Sequence, residues 1–275
     1  MPAGQWTVTD PQTIEVDGVT SVKLGAVRGK FEIVPHGGPS VQLEVSEVKG
    51  DPVAVSLTGG RLEIRHQLHG PQGWFKNLME TVNHTSDNTA VIRISVPAGV
   101  EVEAGTVSGE GLVSGLAAHI RLNTVSGSIE AAGTSGELQV NTVSGRVSVR
   151  GHRGVLTAKT VSGEVTASGH FTNVRANTVS GHLSFELLGF TNDFGSNSVS
   201  GDVTVTMPHD VGADIVAKSA GGAVILDGQQ FLLANGKVET ISGPDTQLML
   251  VRTNSVSGRT SIVHAPAGTA GDAAG

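Results

Sequence analysis

The sequence predicts an all-β chain folded as a single parallel β-solenoid, or β-helix, with coils of 18 to 20 residues and one short helical insertion. Three observations lead there. The tetrapeptide Thr-Val-Ser-Gly occurs at 106–109, 124–127, 142–145, 160–163 and 178–181, each copy 18 residues after the last. Ser198–Gly201 follows after 20 residues, and Ser255–Gly258 is a later Ser-for-Thr copy. Between copies, apolar and polar residues alternate with period two, the mark of strands with one buried face. Two such strands per repeat leave no room for a crossover helix, so each coil closes on itself and buries its apolar face against its neighbours.

The unit from Asn123 to Asn141 shows the pattern residue by residue. Val125, Gly127, Ile129 and Ala131 share one parity, and Ser126, Ser128 and Glu130 the other. Gly133-Thr134-Ser135-Gly136 reads as a turn, after which Leu138 and Val140 are expected inside and Gln139 and Asn141 outside. Aligned copies give an expected inward column of Val107, Val125, Val143, Val161, Val179 and Val199. A second column reads Leu112, Ile129, Val147, Val165, Leu183 and Val203. Such columns stack at the strand spacing of ~4.8 Å.

Gly127, Gly145, Gly163, Gly181 and Gly201 have inward parity. They mark places where the wall bends or the opposite wall leaves no room for a side chain. The Asn before the motif, at Asn123, Asn141, Asn177, Asn197 and Asn254, with Lys159 in its place once, sits where parity slips. It is expected at a corner, tolerating left-handed backbone or bonding the Asn one coil away in a ladder.

Taken in order, residues 1–12 read as an N-terminal arm and residues 13–105 as irregular β coils covering the open end of the stack. Their turns are signalled at Asp17-Gly18, Gly37-Gly38-Pro39, Gly50-Asp51-Pro52 and Gly59-Gly60. An insertion over 66–90 breaks the rhythm. Trp74, Phe75, Leu78, Met79 and Val82 fall on one face of a short helix there, expected to cap the stack or to contact a partner. Residues 106–263 form the regular coils, with Ile241-Ser242-Gly243 and Val256-Ser257-Gly258 as the last. Met207-Pro208-His209-Asp210 echoes Val96-Pro97-Ala98-Gly99. Residues 264–275 are too poor in apolar side chains to order themselves and read as a disordered tail.

Repeated Asn-Thr-Val-Ser-Gly at this spacing, preceded by the Val96–Gly99 turn, resembles the bacterial putative-adhesin family of β-strand repeats, domain of unknown function 4097. The likeness spans residues 13–263. It implies a β-solenoid and a role as an adhesin or as a component of a cell-envelope stress system. It carries over no catalytic residue.

The totals narrow the chemistry. A net charge of −7 argues against binding the phosphate backbone of nucleic acid, which needs clustered Lys and Arg. No Cys is present, so thiol chemistry and Cys-based metal sites are excluded. The repeated Ser108, Ser126, Ser144, Ser162, Ser180 and Ser200 form a column, whereas a nucleophile needs one base and one oxyanion hole at one place. Arg146 and Glu164, on adjacent coils, read as a cross-strand ion pair. His152 and His170 lie 18 apart in equivalent turns, a weak metal signal without a third ligand.

The reading is therefore a non-enzymatic scaffold or adhesin-like interaction protein, linked to the bacterial cell envelope or its stress response, with no cofactor, no metal and no catalytic residue. A polysaccharide-binding or polysaccharide-cleaving β-helix is the alternative. The expected partner is a protein or cell-envelope component, with peripheral membrane contact and end-to-end self-assembly both compatible. The N-terminus shows no basic and apolar leader, and no window approaches the ~18 apolar residues of a membrane span. The expected location is cytoplasmic, with membrane association compatible.

Overall fold

The computed structural model describes residues 4–66, 88–231, 236–245 and 247–266. All regular secondary structure among them is strand. The insertion helix expected over 66–90, with Trp74, Phe75, Leu78, Met79 and Val82, lies outside the described residues. Its margins do not: His66 ends one strand, and Thr89 opens the next. The chain divides into two compact units, Met1–Glu130 and Ala131–Gly275.

The first unit holds β1 (Gly4–Val8), β2 (Gln12–Val16), β3 (Ser21–Ala26), β4 (Arg28–His36), β5 (Val41–Lys49), β6 (Val53–Thr58), β7 (Arg61–His66), β8 (Thr89–Pro97), β9 (Glu101–Thr106), β10 (Glu110–Ser114) and β11 (Ile120–Thr124), with β12 (Ser128–Ala132) crossing its boundary. Pairing makes two walls. One runs β11, β9, β3, β7, β6, β1, and the other β10, β4, β8, β5, β2. Parallel pairs join β3, β7, β9 and β11, and likewise β4, β8 and β10. The pairs β1–β6, β6–β7, β2–β5 and β5–β8 are antiparallel.

A single parallel solenoid therefore needs correction here. Gly59 and Gly60, at φ of 59° and 83°, close a two-residue hairpin between Thr58 and Arg61, which reverses the chain where a coil would have carried on. Residues 4–8, read as part of an arm, form β1, paired to β6 over its whole length. The coil made by β3 and β4 lies between two coils that come later in the chain, β7/β8 and β9/β10.

The second unit holds β13 (Ser135–Thr142), β14 (Arg146–Thr160), β15 (Glu164–Thr178), β16 (His182–Leu187), β17 (Asp193–Ser198), β18 (Val203–Met207), β19 (Gly212–Ser219), β20 (Val224–Leu226), β21 (Gln229–Phe231), β22 (Lys237–Ser242), β23 (Leu248–Ser255) and β24 (Thr260–His264). Its regular part matches the expectation. Val147 lies against Val165, Val165 against Leu183 and Leu183 against Val203, all in parallel register. These side chains, with Ile129 in the first unit, are buried, as are Leu138 and Val140. Leu112, placed in the same column, is only half-buried. The equivalent position is Gly111, where an added Cβ would lie 2.2 Å from the Phe31 ring, so the large side chain there comes from the neighbouring strand.

The chain does not stack in sequence order at the far end. β23 pairs in parallel with β17 on one side and β19 on the other, and β24 lies between β18 and β20. The C-terminal coil is thus wedged between two earlier ones. Antiparallel β22 and β21 then close the two walls, paired with β19 and β20 respectively. Ile241-Ser242-Gly243, expected as a coil corner, belongs to this antiparallel strand and its end. The β20–β21 hairpin turns on Asp227-Gly228, both at positive φ (47° and 80°), an Asp-Gly signal that the repeat pattern obscured.

Residues 264–266 belong to ordered structure rather than to a tail: His264 ends β24, and the Ala265 amide donates to the Met207 carbonyl at 2.7 Å. The His264 imidazole meets both Asp227 oxygens at 3.0 and 3.1 Å through Nδ1, and its Nε2 lies 3.2 Å from the Val211 carbonyl. The Ser242 hydroxyl donates to the same carboxylate at 3.2 Å. One carboxylate therefore ties together the hairpin, β22 and the end of β24.

Burial alone pushes the Asp227 carboxyl up. The His264 amide and imidazole and the Ser242 hydroxyl outweigh it and hold the group below its ordinary value of 3.8. A carboxylate depressed in the folded state contributes stability above its unfolded pKa and loses it as pH falls through the folded value. Acid titration of stability is therefore expected to show a loss below about pH 4 that an Asp227→Asn variant lacks. Equal acid limbs in the two proteins would show that the clasp adds nothing.

Candidate interaction surface

In three of the five Thr-Val-Ser-Gly copies the corner is closed by its Thr. Thr106, Thr160 and Thr178 are buried, and each accepts a hydrogen bond at 2.8 Å, through Oγ1, from the amide of the Gly three residues on. Ser219 does the same for Gly222. This closes a local turn whose two middle residues have nowhere to go but outward. The valine column is accordingly reversed from the expectation. Val107, Val125 and Val143 are half-buried, and Val161, Val179, Val199 and Val256 are 47, 47, 48 and 53% exposed. Strand parity continues up to the Thr, and the turn resets it before the Gly.

The corner glycines are buried as expected, but the crowding atom is not on an opposite wall. A Cβ on Gly163 would lie 2.3 Å from the Gly145 carbonyl oxygen, on Gly181 2.2 Å from that of Gly163, and on Gly201 2.1 Å from that of Gly181. Gly127 meets the Gly109 oxygen at 2.1 Å in the same way. The constraint is coil on coil. Exposed Ser162, Ser180 and Ser200 donate their hydroxyls to the Val carbonyl one coil back at 3.2 to 3.3 Å, so this serine column is occupied with holding the ridge.

The Asn row behaves as a ladder rather than as left-handed corners. Asn197 donates to Asn177 at 2.9 Å and Asn254 to Asn197 at 3.0 Å. Asn123 is buried and Asn141 half-buried. Among the described residues only Asp227 is a non-glycine residue with positive φ. The Asn254 bond accompanies the pairing that sets the copy at 255–258, and not Ser219–Gly222, next to Ser198–Gly201 in the stack.

On the other flank of the valines runs a charged column: Arg146, Glu164, His182, Asp202, Arg259. Arg146 Nε donates to Glu164 at 3.1 Å, the cross-strand pair read from the sequence. His182 Nδ1 lies 4.0 Å from Asp202, whose Oδ1 accepts the Arg259 amide at 2.9 Å.

A second apolar feature projects from the opposite corner. The step from Thr178 to Ser198 exceeds the regular period by two residues, and the excess falls in the loop between β16 and β17. It leaves Leu188 45% and Phe190 41% exposed. Beneath it the frame is rigid: Phe185 and Phe194, both buried, meet edge to face with centroids 5.2 Å apart. The 20-residue step was the sequence signal for this tip.

The two histidines weighed as a metal pair do not face each other. A register shift sets His152 against Gly169 and Arg153 against His170. His152 is buried, with Nδ1 3.0 Å from the Thr134 hydroxyl and Nε2 3.3 Å from the Val155 carbonyl, and burial lowers its pKa. His66 is likewise buried, with Nε2 2.9 Å from the Asp51 carbonyl. Among the described residues no group of three or more His, Cys, Asp or Glu is placed to hold a metal ion. A concavity of about 180 Å³ in the first unit is lined by Arg61, Glu101, Glu103, His119 and Arg121, with Glu103 held by Lys23 and Arg61 at 3.2 Å each. No helix of the described residues is long and apolar enough to cross a membrane.

The sequence model of one family, described as Toastrack DUF4097, matches residues 36–255. No curated protein matches the chain. Among solved structures, a putative lipid binding protein from Parabacteroides distasonis superposes with a TM-score of 0.54 at 16% identity, covering 94% of this chain and 98% of that one. A putative adhesin from Bacteroides fragilis gives 0.42 at 10% identity, with 93% and 98% covered. A putative cell adhesion protein from Clostridium sporogenes gives 0.30 at 16% identity, with 93% and 100% covered.

Proposed function

We propose, from the premise that this chain belongs to the Toastrack DUF4097 family, that it is a non-enzymatic β-solenoid scaffold, adhesin-like in how it works, that docks a protein or membrane component of the bacterial cell envelope. The observation that carries this reading is the Leu188/Phe190 tip. Two large apolar side chains stand in solvent on a loop seated over a packed aromatic pair, so their exposure belongs to a rigid frame. Holding them there is unfavourable unless something covers them. The neighbouring Arg153 and His170 are exposed and supply polar and basic groups at the same corner, as a rim around an apolar contact does. The Parabacteroides structure is named a putative lipid binding protein, and our reading for this chain is a cytoplasmic location compatible with membrane association.

The test is retrieval of partners from membrane and soluble fractions of a native lysate by intact protein and by a Leu188→Ser/Phe190→Ser variant. The variant changes only exposed side chains, so its circular dichroism and thermal midpoint are expected to match the parent. Loss of at least tenfold of a membrane-fraction partner supports the reading. Equal recovery by both proteins, or recovery of nothing, sinks it.

A further inference from the structure

The geometry points to a second copy of this chain as the occupant of the valine ridge, docked antiparallel about a two-fold axis between Val179 and Val199. The ridge is the longest run of exposed apolar side chains among the described residues: Val161, Val179, Val199 and Val256, on four successive coils of the stack. Backbone bonds from each coil to the last hold them in line: Val179 to Thr160, Val199 to Thr178 and Val256 to Ser198, at 3.2 to 3.3 Å. Their separation is that of paired strands, ~4.8 Å. A partner matching such a ladder along its length must carry the same spacing, and an identical ridge does.

Charge selects the orientation. A two-fold axis lying in the contact plane and perpendicular to the ridge reverses the order of coils while keeping each flank on its own side. The charged column then faces its own copy in reverse. With the axis centred on the four exposed valines, Val161 meets Val256 of the second copy and Val179 meets its Val199. The same operation sets Glu164 against Arg259 and His182 against Asp202, twice over. Moving the axis by half a coil spacing, onto a single coil, sets Glu164 against Asp202 and Arg146 against Arg259, like against like. A parallel arrangement would instead face the charged column with the Asn ladder. On the other flank, the antiparallel dimer pairs Lys159 with Asn254 and Asn177 with Asn197, without like-charge conflict. The self-complementary column is thus the feature that names the occupant.

The ridge is narrow beside the ~800 Å² per partner of a standard stable interface, so association is expected to be weak and driven by concentration. Sedimentation equilibrium of the full chain over a wide concentration range should show the weight-average mass rising from 28.1 kDa toward twice that value. Val179→Lys/Val199→Lys, which alters only exposed side chains, should hold the mass at the monomer value. Glu164→Arg should weaken association at least tenfold, and adding Arg259→Glu should restore it, because the swapped charges meet across the axis. Circular dichroism of each variant checks that the coils are intact. A mass that stays at 28.1 kDa at every concentration overturns the inference. So does association indifferent to the lysine variant, which would place the contact away from the ridge. The Leu188/Phe190 reading stands or falls separately, on its own variant at the other corner and on recovery of a membrane-fraction partner.

Discussion

Gly181→Ala is expected to destabilise the second unit by about 3 kcal/mol, at the upper end of overpacking losses. One methyl group does this because of where it must go. Its carbon would lie 2.2 Å from the Gly163 carbonyl oxygen and 2.8 Å from Thr160 Cγ2. The first is backbone, already committed to the coil pairing, and cannot swing aside. Relieving the clash means separating adjacent coils, which breaks the Ser180 amide to Val161 carbonyl bond of 2.7 Å and disturbs the Thr178 turn. Gly133→Ala is the control. Gly133 has φ of 60° with nothing within 4 Å of an added Cβ, so the substitution meets only the left-handed backbone penalty, about 1 to 2 kcal/mol. Guanidinium denaturation of both variants against the parent measures the difference. Equal losses would show that the corner glycines are there for conformation rather than for coil contact.

Ending the chain after Asp245 is expected to unfold the end of the second unit altogether. It removes β23 and β24, which are not an outer layer but the middle one between β17/β18 and β19/β20. Buried Met249, Val251 and Ile262 leave the core, each worth about 1.5 to 3 kcal/mol of burial, in a fold whose whole stability is of order 5 to 15 kcal/mol. β19 and β20 lose their parallel neighbours, and Asp227 loses His264. Limited proteolysis should then cut within 212–242 early while 146–187 stays protected, and the transition in denaturant should broaden. Continued protection of 212–242 would show that the antiparallel pairs β19–β22 and β20–β21 hold without the wedge.

Much of this was legible along the chain. The period of 18 made the coils, and strand parity placed Ile129, Leu138, Val140, Val147, Val165 and Leu183 inside, because a buried face must repeat every second residue. Adjacent copies with opposite charge, Arg146 and Glu164, are legible as a pair from the 18-residue spacing alone. The Asn row pointed to its own ladder, whereas the 20-residue step was passed over although its two extra residues build the Leu188/Phe190 tip. Periodicity reports parity within a strand and goes silent at a turn. There the Thr hydroxyl, by capping the Gly amide, turned Val161 and Val179 out to solvent.

By itself, then, the sequence determined the repeat, the regular strands, the column from Ile129 to Val203 and the corner positions, all properties of neighbours in the chain. Only the tertiary structure decided which way the corner valines face, where the walls turn antiparallel, and that residues 248–264 enter between coils laid down before them. The physical reason is that coil order is a long-range pairing. It is chosen by which edges match, as Asn254 matches Asn197 across 57 residues, and nothing in a local pattern records the distance along the chain at which the match is found.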